Sequence, residues 1–186
     1  MNNIFKIATI STIFNVAFCI YYLIFGVISY SWWLLTLGGY YLILSVVRLS
    51  VLKNKNEQYS ITKFIGWMII ILSIPLMGTV ILSILDDRGN KFDIILMISM
   101  AVYSFTKITL ATINLIKSRR SNSGKIIALR NIAFADGFVS IFALQRSMLV
   151  SFEGMTECEI IIMNACTGTA VCIIVFLLGL NLLLKN

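Results

Sequence analysis

Six long apolar stretches dominate this chain, and they decide what it can fold into. Each stretch is long enough to cross the hydrocarbon core of a membrane, which takes roughly 20 helical residues at about 1.5 Å each. They predict six transmembrane helices at about 6–29, 32–53, 63–85, 93–117, 126–150 and 158–183. Because the connections are short, we expect one all-α domain over residues 1–186, a polytopic membrane helix bundle.

The scarcity of charge supports this prediction. Only 12% of the 186 residues are charged, against about 25% in a typical soluble domain, and 59% are hydrophobic. A soluble core of this length could not bury so much apolar surface. We therefore expect the lipid bilayer to surround most of the chain.

The distribution of lysine and arginine predicts the orientation, because these residues are retained on the cytoplasmic side. The connections after the second and fourth helices are basic, and those after the third and fifth are mainly acidic. The basic residues are Lys53, Lys55, Lys63, Lys117, Arg119, Arg120 and Lys125, with Lys6 and Lys185 near the ends. Both termini are therefore expected in the cytoplasm. The net charge of +7 then needs no nucleic-acid partner.

One acidic residue stands inside an apolar stretch. Asp136 is 11 residues from Lys125, which puts it roughly 16 Å along the fifth helix and near the membrane midplane. An aspartate at that depth costs about 2.5–3.5 kcal/mol. The same helix also contains Arg130, Asn131, Gln145 and Arg146. Its apolar residues barely offset these penalties, so we expect neighbouring helices to surround it.

Lys107 is the expected partner of Asp136. It lies ten residues before Lys117 on the fourth helix, which a short turn joins to the fifth. The two side chains reach nearly the same depth, which predicts an intramembrane ion pair. Arg48 is instead expected to extend to the cytoplasmic interface, and Arg146 to the outer interface, toward Glu153.

Polar and small residues recur at helical spacing on five of the six predicted helices, so each can present a polar face to the bundle. On the first helix they are Ser11, Asn15, Tyr22 and Gly26, and on the second Gly38, Tyr41, Ser45 and Arg48. The candidate intramembrane polar site consists of Lys107, Asp136, Tyr103, Ser140, Asn15 and Asn164. Such stripes are also typical of ordinary helix packing, whereas buried charges more often mark a path for ions, protons or a substrate.

Missing residue types exclude several kinds of chemistry. The chain contains no histidine, no GxxxxGK[ST] loop and no CxxC pair. Their absence argues against histidine metal sites, serine–histidine hydrolysis and a P-loop nucleotide site. We therefore expect no catalytic residue, no metal site and no cofactor, and we do not expect an enzyme.

Parts of the chain resemble known proteins. The stretches SIFALQRSMLVSFEG, MNACTGTAVCIIVFLLGL and WWLLTLGGYYLILSVVRL resemble helices of an uncharacterised family of bacterial six-helix membrane proteins. This resemblance implies a bacterial inner membrane and no particular role. The six spans and cytoplasmic ends are also similar to the substrate-capturing subunits of energy-coupling-factor vitamin transporters. Those subunits have an AxxxA pattern on their first helix. The first helix of this chain departs from that pattern, because its alanines are Ala8 and Ala17.

Two functional hypotheses remain open. The chain could be a small transporter or permease with a polar cleft around Lys107 and Asp136, in which Lys107 holds an anionic or zwitterionic solute. It could instead be a non-transporting subunit or regulator that binds another membrane protein or a second copy of itself. In that case the charged pair only fixes the register of two helices. No particular small-molecule substrate is indicated.

Overall fold

The chain forms the predicted all-helical bundle. The computed structural model describes residues 2–53, 59–85, 94–117, 123–151 and 154–184, and within these ranges the chain forms six α-helices and no strand. They are α1 (Asn2–Ile28), α2 (Trp32–Lys53), α3 (Tyr59–Leu85), α4 (Ile94–Lys117), α5 (Gly124–Ser151) and α6 (Glu157–Leu184). The ends lie close to the predicted ones. The largest differences are the earlier starts of α1 and α3.

The helices have the length and composition of a multi-pass membrane protein. Five of those described, α1, α2, α3, α5 and α6, are long and apolar enough to cross a membrane. In α4 the apolar part found among the described residues is shorter, Met100–Ile113. Apolar side chains such as Ile13, Ile74 and Val102 are mostly exposed, as a lipid solvent requires. Of the charges used to predict orientation, Lys55, Arg119, Arg120 and Lys185 lie outside the described residues.

The central helix of the bundle is α5. It packs on α4 and α6, and it also contacts α3, α2 and α1. Asn131, Asp136 and Arg146 on this helix are all buried. Protein therefore replaces lipid around most of α5, which confirms the expectation drawn from its polar residues.

Glycines allow close approaches between antiparallel helices. A Cβ atom on Gly179 of α6 would lie 2.7 Å from Cγ1 of Ile70 and 3.1 Å from the carbonyl oxygen of Gly66, both on α3. Similarly, a Cβ atom on Gly38 of α2 would lie 2.9 Å from Cδ2 of Leu23 on α1. As a result α6 is seated on α3, and α1 is seated on α2. Because α4 packs chiefly on α5, the backbones of α1 and α4 stay apart, and side chains such as Phe18, Tyr103 and Lys107 bridge the space between the two helices.

Candidate intramembrane binding site

The carboxylate of Asp136 joins four helices. Its Oδ1 accepts a hydrogen bond from Nζ of Lys107 on α4 at 2.6 Å. Its Oδ2 accepts from Nδ2 of Asn15 on α1 at 2.9 Å and from Nη2 of Arg48 on α2 at 3.3 Å. Asp136 is only 1% exposed. The predicted ion pair between Lys107 and Asp136 is confirmed, and Arg48 is a second cation on the same carboxylate.

The ammonium group of Lys107 has a complete set of acceptors. Besides Asp136, Nζ donates to Oδ1 of Asn15 at 2.7 Å and to Oγ of Ser140 at 3.2 Å. An ammonium has three N–H donors, so all of them are used. Nζ also lies 5.0 Å from the ring centroid of Tyr41 and 4.6 Å from that of Tyr103, within the range of cation–π attraction. Protein groups therefore saturate Lys107.

Asn15 and Ser140 orient the charged groups. The amide nitrogen of Asn15 donates to the carboxylate, while its oxygen accepts from Lys107 and, at 3.3 Å, from the hydroxyl of Tyr103. Ser140 lies one turn after Asp136 and donates to the main-chain carbonyl of Asp136 at 2.8 Å. Asn15 thus bonds to the side chains of both Asp136 and Lys107. Ser140 bonds to the ammonium group of Lys107 and to the backbone of Asp136. They hold the ion pair in one geometry.

Arg48 does not reach the membrane interface, so that prediction is wrong. Its side chain turns into the bundle and is 1% exposed. Nη1 donates to Oγ of Ser11 at 2.5 Å, and Nη2 binds Asp136. Its Nε–H has no acceptor among the described residues. The inward direction is favoured because a carboxylate on a neighbouring helix compensates the guanidinium charge without any need to extend to water.

Arg146 is likewise buried, at 3% exposure, and does not extend to the interface as expected. It donates to the main-chain carbonyl of Ser83 on α3, and its guanidinium carbon lies 4.8 Å from the ring centroid of Trp33 on α2. Its expected partner Glu153 lies outside the described residues. Arg146 is ten residues beyond Asp136 on α5, about 15 Å along the helix, and so it is separate from the cluster of polar side chains around Asp136 and Lys107.

The structure brings five of the six candidate site residues together: Lys107, Asp136, Tyr103, Ser140 and Asn15. It does not bring Asn164 to them. Asn164 is buried on α6, one turn before Gly168, which faces Val80 and Phe142. Neither polar atom of its side-chain amide has a hydrogen-bond partner within the described ranges. Asn164 therefore belongs to the packing of α6 against α3 and α5.

Three further residues complete the cluster, namely Ser11, Tyr41 and Arg48. Ser11 accepts from Arg48, and the hydroxyl of Tyr41 lies 3.0 Å from Oγ of Ser140. The sequence does contain a signal for them, because each lies on a polar stripe of α1 or α2. The stripe shows which face is inward but not which side chains meet.

A cavity of about 570 Å³ adjoins the cluster. Arg48, Lys107 and Asp136 line its inner end, and mostly apolar side chains of α1, α4 and α5 line the rest. Ile10 on α1 and Val102 on α4 lie at its rim and are 55% and 63% exposed. The cavity therefore opens sideways between α1 and α4.

An aromatic stack limits the cavity at one end. The rings of Phe18 on α1 and Tyr103 on α4 are stacked, with centroids 4.4 Å apart and an interplanar angle of 13°. The lining residues of α5 run from Ile126 to Asp136, in its first half. From the cluster the cavity thus extends toward the end of the bundle where α4 is joined to α5.

No protein-family model, no curated protein and no solved structure matches this chain. Its function has to be inferred from the site. Within the described ranges, no three histidine, cysteine, aspartate or glutamate side chains come together in a way that could hold a metal ion.

Proposed function

We propose that the protein is a small permease-like membrane transporter that binds its solute in the cavity between α1, α4 and α5. The supporting observation is that three ionisable side chains, Arg48, Lys107 and Asp136, line one end of this cavity. Ionisable groups at this depth are costly, and in membrane proteins they commonly line paths for ions, protons or solutes. The cavity volume of about 570 Å³ suits a small molecule, since such sites span about 300–1,000 Å³.

In this proposal the protein lies in a bacterial cytoplasmic membrane with both termini in the cytoplasm. The cavity then opens in the cytoplasmic half of the bilayer, and the stack of Phe18 on Tyr103 closes it toward the outside. Because α1 packs chiefly on α2 and α4 chiefly on α5, the boundary between these two pairs is bridged mainly by side chains, among them the Phe18–Tyr103 stack. Rocking of one pair against the other would part the stack and open the cluster to the opposite side.

A second candidate is a non-transporting subunit or regulator that binds another membrane protein. It is favoured by the saturation of Lys107, whose three donors all have protein acceptors. Such a fully bonded group suits a structural role, in which the cluster fixes the register of α1, α2, α4 and α5. Lipid would then occupy the cavity.

Cysteine accessibility distinguishes the two candidates. Ala133 lines the cavity, whereas Ala170 is exposed on α6 and, in the proposed bilayer arrangement, faces lipid. Ala133→Cys and Ala170→Cys are made in a background from which Cys19, Cys166 and Cys172 are removed. Cys158, exposed at the start of α6, is kept as a marker of the outer side. A membrane-impermeant thiol reagent is then applied to vesicles of either orientation.

For a transporter, Ala133→Cys reacts from both sides, Ala170→Cys from neither, and Cys158 from the outer side alone. Reaction of Ala133→Cys from one side only, or from neither, would contradict transport and favour the structural candidate. Mass spectrometry of the intact protein measures how many cysteines have reacted. Mass spectrometry after digestion then shows whether Cys158 or the introduced cysteine carries the label.

A further inference from the structure

We propose that the cavity binds an amphiphilic organic anion, with one carboxylate, phosphate or sulfate group carried on a hydrocarbon body. This inference rests on the proposed function, because it names the substrate class of the same cavity. It is supported by the charge of the lining, by the unused donors of Arg48 and by the apolar walls.

The lining carries an excess of positive charge. Arg48, Lys107 and Arg130 line the cavity, and Asp136 is the acidic residue among the described residues that line it. The chain has eight acidic residues, and all others lie between helices or in the first turn of α6. With Arg48, Lys107 and Asp136 charged, these buried groups leave one positive charge uncompensated in a region of low dielectric constant, which is unfavourable, and the partly exposed Arg130 adds a second positive charge nearby. A bound anion would supply the missing negative charge.

Of the two cations that bind Asp136, Arg48 is the one with donors to spare. A guanidinium has five N–H donors, and Arg48 uses one on Ser11 and one on Asp136, while its Nε–H lacks an acceptor in the described part of the chain. Lys107, by contrast, has none left. We therefore assign the anionic group to Arg48, where the expectation from sequence was Lys107. The planar fork of a guanidinium can bind a carboxylate or phosphate through two parallel hydrogen bonds.

Arg130 is a second cation on the cavity wall. It lies six residues before Asp136 on α5, roughly 9 Å along the helix, and so nearer the α4–α5 connection. Its Nε–H also lacks an acceptor among the residues described. Arg130 thus extends the positive potential from the cluster along the cavity, which attracts an anion toward Arg48.

The remaining walls favour hydrocarbon over water. Phe14, Leu110, Ile126 and Leu129 line the cavity away from the cluster. A small hydrated anion would find few polar partners there, whereas an alkyl chain would bury apolar surface. The sideways opening between α1 and α4 leads toward the acyl-chain region. The anion can therefore come from a free amphiphile or from an anionic lipid, which share the same chemistry.

The test uses the full chain in nanodiscs of phosphatidylcholine, with radiolabelled dodecanoate as the probe. We expect saturable binding that unlabelled dodecanoate and dodecyl phosphate displace, and that dodecanol, dodecyltrimethylammonium and acetate do not. Nanodiscs containing phosphatidylglycerol identify the source. Competition by this lipid indicates a lipid headgroup, and undiminished binding indicates a free amphiphile.

Arg48→Gln keeps the neutral Lys107–Asp136 pair and should lower the affinity for dodecanoate at least about tenfold, the loss expected for one charged hydrogen bond. Arg146→Gln is the matched control, since Arg146 is equally buried but outside the cavity, and it should leave the affinity unchanged. Arg130→Gln, at a less buried position, tests the same prediction if Arg48→Gln does not fold. Unchanged affinity in the folded cavity variants, or equal binding of dodecanol, would overturn the proposal.

Flux measurements on reconstituted vesicles keep this inference separate from the proposed transport. Anion-selective binding without flux rejects transport and retains the ligand class. Flux of an uncharged or cationic solute, without binding of dodecanoate, rejects the ligand class and retains transport.

Discussion

Arg48 and Asp136 are 88 residues apart in the chain, yet Nη2 of Arg48 lies 3.3 Å from Oδ2 of Asp136 inside the bundle. Lys107 binds the other oxygen of the same carboxylate. Two cations therefore share one anion. Removal of the anion leaves two like charges facing each other, whereas removal of either cation leaves a neutral pair.

This asymmetry predicts unequal costs for the charged residues. Asp136→Asn should lower the free energy of unfolding by about 3–5 kcal/mol, because it leaves two buried cations without their counter-ion. Lys107→Met and Arg48→Met should each cost less than half as much. Unfolding in mixed detergent micelles measures all three, with Glu157→Gln at the exposed start of α6 as a control that changes little. Equal costs would show that the cations do not depend on Asp136.

Exchanging the ion pair should not restore stability. In the double variant Lys107→Asp, Asp136→Lys, a lysine would stand beside Arg48, which then loses its carboxylate and meets a like charge. We expect recovery only when Arg48→Met is added, and the same unfolding measurement compares the double with the triple variant. Full recovery by the double variant alone would mean that Arg48 contributes nothing to the cluster.

Two substitutions of Asn15 should affect the stability of the protein and its affinity for the ligand differently. Asn15→Ala removes a donor to Asp136 and an acceptor for Lys107, at a cost of about 1.5–3 kcal/mol in unfolding free energy. Asn15→Asp keeps an acceptor for Lys107, but it places a carboxylate oxygen where the amide nitrogen now donates to Oδ2 of Asp136. Lys107 and Arg48 would then face two negative charges and offset the repulsion between the two carboxylates, so this variant should be no less stable than Asn15→Ala. Its affinity for dodecanoate should nevertheless fall at least about tenfold, since it competes with the anion. Affinity equal to that of the unmodified protein would show that lining charge does not attract the ligand.

The close approach of α3 and α6 predicts a local steric effect. Gly179→Ala should destabilise the bundle by about 1–3 kcal/mol, because the new methyl group would meet Ile70 and the backbone of Gly66. Gly78→Ala is the control, since no atom lies within 4 Å of a Cβ there, and it should be neutral or stabilising by up to about 1 kcal/mol. Thermal unfolding in detergent compares the two. A similar effect of both substitutions would contradict the close packing.

The helices could be predicted from sequence because the lengths of the apolar runs and the charges between them set each span. The early start of α3 at Tyr59 shows where this fails. We expected the helix to begin at Lys63, which marks the membrane boundary, but an α-helix can continue for another turn into the interface. Charge locates the boundary of the lipid and not the end of the backbone hydrogen bonding.

The candidate site was predictable only in part, for a related reason. Equal depth on consecutive helices was enough to pair Lys107 with Asp136. The direction of Arg48 depends on the rotation of α2 about its axis, which packing decides, and the sequence allows both directions. Asn164 illustrates the same limit, since a polar stripe predicts a buried face but not which helix covers it.

We predict that the order of synthesis affects how the cluster assembles. Asn15, Arg48 and Lys107 all leave the ribosome before Asp136, so four helices would reach the bilayer with their cations lacking a counter-ion. The fifth helix is the least hydrophobic of those described. Attraction of Asp136 to Arg48 and Lys107, which are already in the bilayer, would favour its insertion. Once inserted, the fifth helix would supply Asp136 and so hold the earlier helices together. A nascent chain that stops short of Asp136 should stay loosely assembled and be cleared by membrane proteases.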